Sequence, residues 1–111
     1  MLGPDFSPRV GSRIQVQLKM NGFLTGQNAF VVAVWRSDSP DLVSLVKRYA
    51  RAGRRVFIDH NFEFYANTMS KIRLEVRIGL SRSGGMVYVN GDPSGPDQSL
   101  PAPFLEIREL N

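Results

Sequence analysis

Lys71, Arg73 and Arg77 recur at odd positions of an alternating run, KIRLEVRIGL, whose even positions are apolar. On an extended strand, alternate residues project from the same face about 6.8 Å apart, close to the phosphate spacing of an extended single strand. Arg54 and Arg55 open the preceding β-rich stretch, and Arg13 and Lys19 sit on the outward positions of an earlier one. If these strands are neighbours, they build one basic surface suited to a polyanion. Four aromatics lack an obvious place in a core: Trp35, Phe57, Tyr65 and Tyr88. A base-stacking platform needs such rings beside a positive groove, each stack being worth about 1–3 kcal/mol. Phe57 is the foremost candidate, because Val56 and Ile58 claim the inward phase on either side of it.

Other chemistry is poorly supplied. His60 is the one histidine and there is no cysteine, so a usual zinc site cannot be assembled. Asp59 and Glu63 lie near His60 in sequence, but nothing sets them opposite a nucleophile. Ser83-Gly84-Gly85 lacks the strand-to-helix setting of a phosphate loop, and no dinucleotide fingerprint exists. The expectation is a non-enzymatic protein without cofactor or metal.

The elements that must position these residues follow from periodicity. Ser12 to Met20 alternates, with Ile14, Val16, Leu18 and Met20 inward, and reads as a half-buried strand. Asn21-Gly22 and Thr25 to Asn28 carry turn chemistry, and Ala29 to Arg36 forms the second strand of a meander. Ser39, Pro40 and Asp41 make a helix start. Leu42, Leu45, Val46 and Tyr49 then fall at helical spacing, and Gly53 supplies a stop, which predicts a helix to about Ala52. Lys47, Arg48 and Arg51 are accounted for by that helix's dipole and solvated surface. Arg54 to Tyr65 is a long strand with Val56, Ile58, Phe62 and Phe64 sharing a face and a bulge expected near His60-Asn61. Lys71 to Leu80 is a further strand, and Arg82 to Gly85 a tight hairpin into Met86 to Asn90. Residues 91–103 read as a loop and Phe104 to Ile107 as an edge strand or a cover. Residues 1–11 are a lead-in in which Phe6 docks on the core.

At 111 residues the chain is expected to be a single domain, 1–111. Its net charge is +4, with eleven of fourteen basic residues arginine, which favours forked recognition of phosphate. The sequence pI is about 10.0. The absence of cysteine removes any disulfide framework. No apolar run approaches the ~20 residues of a membrane span, so no membrane partner is expected. Strand, strand, helix, then three strands is the order of an OB-fold: all-β, a five- or six-stranded antiparallel barrel with one helix between early and late strands.

From Phe30 to Ile78 the chain resembles the single-stranded-DNA-binding family of OB-folds. The resemblance rests on FVVAVWRS and on Gly53-Arg54-Arg55-Val56-Phe57-Ile58. It departs from the family where His60 replaces a glycine and where a Leu-x-Gly first strand is missing. The resemblance implies single-stranded RNA or DNA as partner, bound through Trp35, Arg55, Phe57, Arg73 and Arg77. It also implies pairing with other OB-fold proteins or a homodimer through an edge strand. Divergent, arginine-rich members resemble OB-fold domains of the trypanosomatid mitochondrial RNA-editing complex, which implies RNA over DNA and a mitochondrial location. The alternative is a protein-interaction scaffold with little nucleic-acid binding of its own.

Overall fold

The computed structural model describes residues 3, 5–8, 11–37, 42–66 and 71–110. Its strands are β1 (Arg13–Leu24), β2 (Asn28–Arg36), β3 (Leu42–Ala50), β4 (Arg54–Tyr65), β5 (Leu74–Leu80), β6 (Val87–Val89), β7 (Gly91–Asp92), β8 (Gly95–Pro96) and β9 (Phe104–Leu110). All ladders are antiparallel. One sheet is built on β1, which pairs along its whole length with β4 and, on its other edge, with β9 over Arg13–Lys19 and β6 over Gly22–Leu24. The second sheet has the order β3-β2-β5, and β7 and β8 form a separate small ladder.

Alternation explains how the two sheets meet. Ile14, Val16, Leu18 and Met20 of β1, Phe30, Val32 and Val34 of β2, Val56 and Ile58 of β4, and Leu74 and Val76 of β5 form one buried cluster. Each fully buried side chain of this kind stabilises the fold by roughly 1.5–3 kcal/mol, so the core can hold the sheets together without covalent staples. Phe62 and Phe64 pack against it in the expected phase, and so does Phe6, whose backbone bridges Ile72.

Several expectations are corrected. The segment predicted as a helix is β3, and no helix occurs among the described residues. Leu42, Leu45, Val46 and Tyr49 fit a helical stripe, yet only Val46 is buried; Leu42 and Leu45 stand 44% and 46% exposed. The free edge of β2 requires hydrogen-bonding partners, and β3 supplies them from Ala50 to Leu42 with a single irregularity at Val34/Trp35. Valine and tyrosine favour that extended state. The helix start Ser39-Pro40-Asp41 lies outside the described residues.

The sheets are not closed into a barrel. β1 and β2 do not form a meander: the chain crosses from one sheet to the other at Thr25–Gln27, and again between β3 and β4, between β4 and β5, and between β5 and β6. The expected hairpin at Arg82–Gly85 is therefore a crossover, with Gly84 and Gly85 in the left-handed region. Asn21-Gly22 is not a turn but the interior of β1. A Cβ on Gly22 would stand 2.7 Å from the Phe30 ring and 2.8 Å from Val87, so glycine is what lets the ring lie against the strand. The bulge expected at His60-Asn61 is absent, and the β1–β4 register is unbroken. The edge strand expected near Phe104 is β9.

Candidate nucleic-acid interface

The residues singled out in the sequence are divided between two outer faces. Arg13, Lys19 and Phe57 lie on the outer side of β1 and β4. Arg13 pairs with Glu63 at 3.4 Å, Lys19 with Asp59 at 3.9 Å, and Arg108 of β9 with Glu106. Three cations meet three carboxylates, so this face is electrically balanced, and Phe57, Tyr65 and Phe104 are exposed on it beside Gln15, Gln17 and Asn61. Phe57 is 62% exposed as anticipated, at the rim of a cleft of about 180 Å³ shared with Lys19, Asn21 and Pro101.

Two arginines are engaged in holding the fold. Arg55 donates to Asn21 Oδ1 at 2.8 Å and to the Gly91 carbonyl, and its guanidinium lies 5.6 Å from the centre of the Phe23 ring. Asn21, almost wholly buried, in turn donates to Asn90 Oδ1 and to the Pro101 carbonyl. Together they latch the segment between β6 and β9 onto β1. Arg73 forms a forked pair with Asp5 at 2.8 and 3.0 Å, clasping the N-terminal segment and holding the Asp5 carboxyl below the usual carboxylate range. Lys71, beside it, is exposed, as is Arg54 at the start of β4.

The outer face of β3-β2-β5 differs in kind. Its floor is the outward row of β2, Ala29, Val31, Ala33 and Trp35. Ladder register sets Lys47 and Gly79 on either side of Val31, and Leu45 and Arg77 on either side of Ala33. Small residues in the middle and long ones at the margins make a shallow trough of about 350 Å³ along Val31, Ala33, Lys47, Arg77 and Gly79. Tyr49, 73% exposed, stands beside Ala29 at one end. There the trough leads to a pocket of about 190 Å³ lined by Gln27, Asn28, Tyr49, Ala50, Arg51 and Arg82. Trp35 marks the other end, with the Arg77 guanidinium 5.3 Å from its ring centre. Arg77 also bonds Glu75 at 3.0 Å, which holds the Glu75 carboxyl low. Lys47, Arg51 and Arg82 pair with no carboxylate among the described residues.

Of the nine predicted residues, this face therefore collects only Trp35 and Arg77. Lys47, Tyr49, Arg51 and Arg82 were not assigned to binding because a helix accounted for the first three and a hairpin for the last. One signal was available: the unbroken apolar run Ala29–Val34 is the pattern of a strand covered on both faces, and one of those faces is open here.

His60 lies on the inner side of β4, so Asp59 and Glu63 project from the opposite face and cannot form a relay with it. Its Nε2 is 2.7 Å from Ser44 Oγ of β3, and its ring stacks on Phe62. Burial, and then the charge of Arg48, push its pKa below the ordinary value. No protein-family model matches the chain, and no curated protein matches it either. Among the described residues no helix is long and apolar enough to cross a membrane.

Proposed function

We propose that this chain is a non-enzymatic module that binds single-stranded nucleic acid along the outer face of β3-β2-β5. The observation that carries the reading is the contrast in charge between the two outer faces: one has its cations matched by carboxylates, the other sets Lys47, Arg51 and Arg82, unmatched among the described residues, around an apolar floor with Trp35 and Tyr49 at its ends. Cations bring phosphates to the rims, while bases need apolar and π surface to leave water, and the trough offers both within one face. From Ala29 to Trp35 the floor runs about 20 Å, roughly three to four nucleotides of an extended strand. A duplex hides its bases and would use only the charge. RNA in preference to DNA, action within a larger assembly and mitochondrial location rest on the sequence resemblance alone; the trough stands on surface chemistry without them.

Fluorescence anisotropy with a labelled oligouridine tests the reading. Lys47→Ala with Arg51→Ala weakens binding several-fold, whereas Arg13→Ala with Lys19→Ala leaves it unchanged. The reverse ranking would move the site to the other face, and no binding at low salt would remove it.

A second reading has its own support. Leu42, Leu45 and Ile78 are exposed apolar residues on or beside the same sheet, and β4 offers a twelve-residue edge without a ladder partner among the described residues. Both features suit a protein partner or a second copy joined edge to edge. Sedimentation over a concentration series separates the two, since self-pairing through an edge requires a dimer to form.

A further inference from the structure

We infer that the pocket beneath Arg82 and Tyr49 captures the terminal phosphomonoester of the strand together with its base, so that the module binds a phosphorylated end more tightly than an interior stretch. The inference rests on the trough reading and adds a specificity to it.

Three features converge. First, the pocket has one aromatic wall, Tyr49, and two guanidiniums, Arg51 and Arg82, neither neutralised by a carboxylate among the described residues. A phosphomonoester carries about −1.5 to −2 charge near neutral pH and three terminal oxygens, against a single charge for an internal diester, so paired arginines discriminate in favour of the end. Second, the frame around Arg82 is built rather than loose. Asn28, buried at the start of β2, accepts from the backbone N–H of Arg82 at 3.0 Å and from Ser81 Oγ at 3.1 Å, and donates to the Arg82 carbonyl at 3.0 Å. A single asparagine thus fixes both backbone polar groups of the residue that overhangs the pocket, which reduces the ordering cost of binding. Third, the chain is tied together at this end of the sheet. Thr25 N–H donates to the Met86 carbonyl at 3.0 Å, and Met86 N–H to Thr25 Oγ1 at 2.8 Å. A Cβ on Gly85 would lie 3.3 Å from Gly26 N, so the two crossover loops touch. The floor of the trough ends where these loops meet, and the pocket of about 190 Å³ there suits a strand end rather than a continuing strand.

The test uses the full chain and one uridine hexamer in three forms: 5′-phosphorylated, 3′-phosphorylated and unphosphorylated. Uridine monophosphate and inorganic phosphate serve as competitors. A terminal phosphate at one end is expected to tighten binding roughly ten-fold, the order of one added charge-assisted contact set. In Arg82→Gln the phosphorylated and unphosphorylated hexamers bind alike, and in Lys19→Ala the increment persists. Equal affinity of the three hexamers for the native chain overturns the inference while leaving the trough reading in place. An increment that survives Arg82→Gln overturns it as well. Binding by none of the hexamers removes both readings. Competition by uridine monophosphate as strong as that of the phosphorylated hexamer would reassign the pocket to free nucleotides and overturn the strand-end role.

Discussion

Arg55→Ala separates an arginine that holds the fold from one that holds a ligand. The side chain makes two hydrogen bonds, to Asn21 Oδ1 and to the Gly91 carbonyl, and covers the Phe23 ring. Hydrogen bonds to a charged group are worth about 1.5–3 kcal/mol each, and a cation over an aromatic ring about 0.5–1 kcal/mol where water reaches it. Arg55 is half-buried, so both contributions fall toward their lower limits, and truncation also leaves the buried Asn21 oxygen without its donor. The net loss is about 3.5 kcal/mol, which for a domain near this size lowers Tm by roughly 14 °C. Differential scanning calorimetry measures the shift and anisotropy measures oligouridine binding at a temperature where the variant remains folded. The expectation is a large fall in Tm with affinity within about two-fold of native. Unchanged Tm with a strong loss of affinity would return Arg55 to the binding face and refute the latch.

Further outcomes follow from the same geometry. Single strands release about 0.7 counterion per neutralised phosphate, so the three cations Lys47, Arg51 and Arg82 give a slope of log affinity against log salt near −2.1, and Lys47→Ala with Arg51→Ala should reduce it to about −0.7; an unchanged slope counts against phosphate contact at these residues. Gly22→Ala inserts a methyl group against Phe30 and Val87 and should cost about 1–3 kcal/mol, seen as a lower urea midpoint; a neutral result would mean that β1 can retreat from the ring. Because the folded pKa of His60 is depressed, protonation favours the unfolded chain. Stability should be constant well above the unfolded value of about 6.5 and decline as pH falls through it. As the sole histidine, His60→Gln should abolish that decline between pH 7.5 and 5.5, and persistence of the slope would assign it elsewhere.

What could be read in advance depended on whether local pattern and tertiary demand agreed. β1 and β5 carry alternation with one polar face, and Ile14, Val16, Leu18, Met20, Leu74 and Val76 are in the core, although Ile78 in the same phase stands 45% exposed. β3 did not yield to local pattern, because over nine residues its apolar spacing satisfied a helical period, while the deciding factor was the unpaired edge of β2, a property of the sheet. Asn21-Gly22 has turn composition, but its asparagine is required for the latch and its glycine for the Phe30 ring, both contacts distant in sequence. The candidate site was obscured for a related reason. Strand charges can be counted locally, but their neutralisation by Glu63, Asp59 and Asp5 depends on pairings from 40 to 68 positions away. Among the charges left over once those pairs form, Lys47 and Arg51 fit a helix surface and Arg82 a hairpin.

The most direct measurement is an NMR titration of the ¹⁵N-labelled chain with a short oligouridine. Binding along the trough predicts shifts at Val31, Ala33, the Trp35 indole, Lys47, Gly79 and Arg82, with Gln15, Gln17, Asn61 and Glu63 unmoved. Shifts confined to the β1–β4–β9 face, or none at saturating ligand, would contradict it.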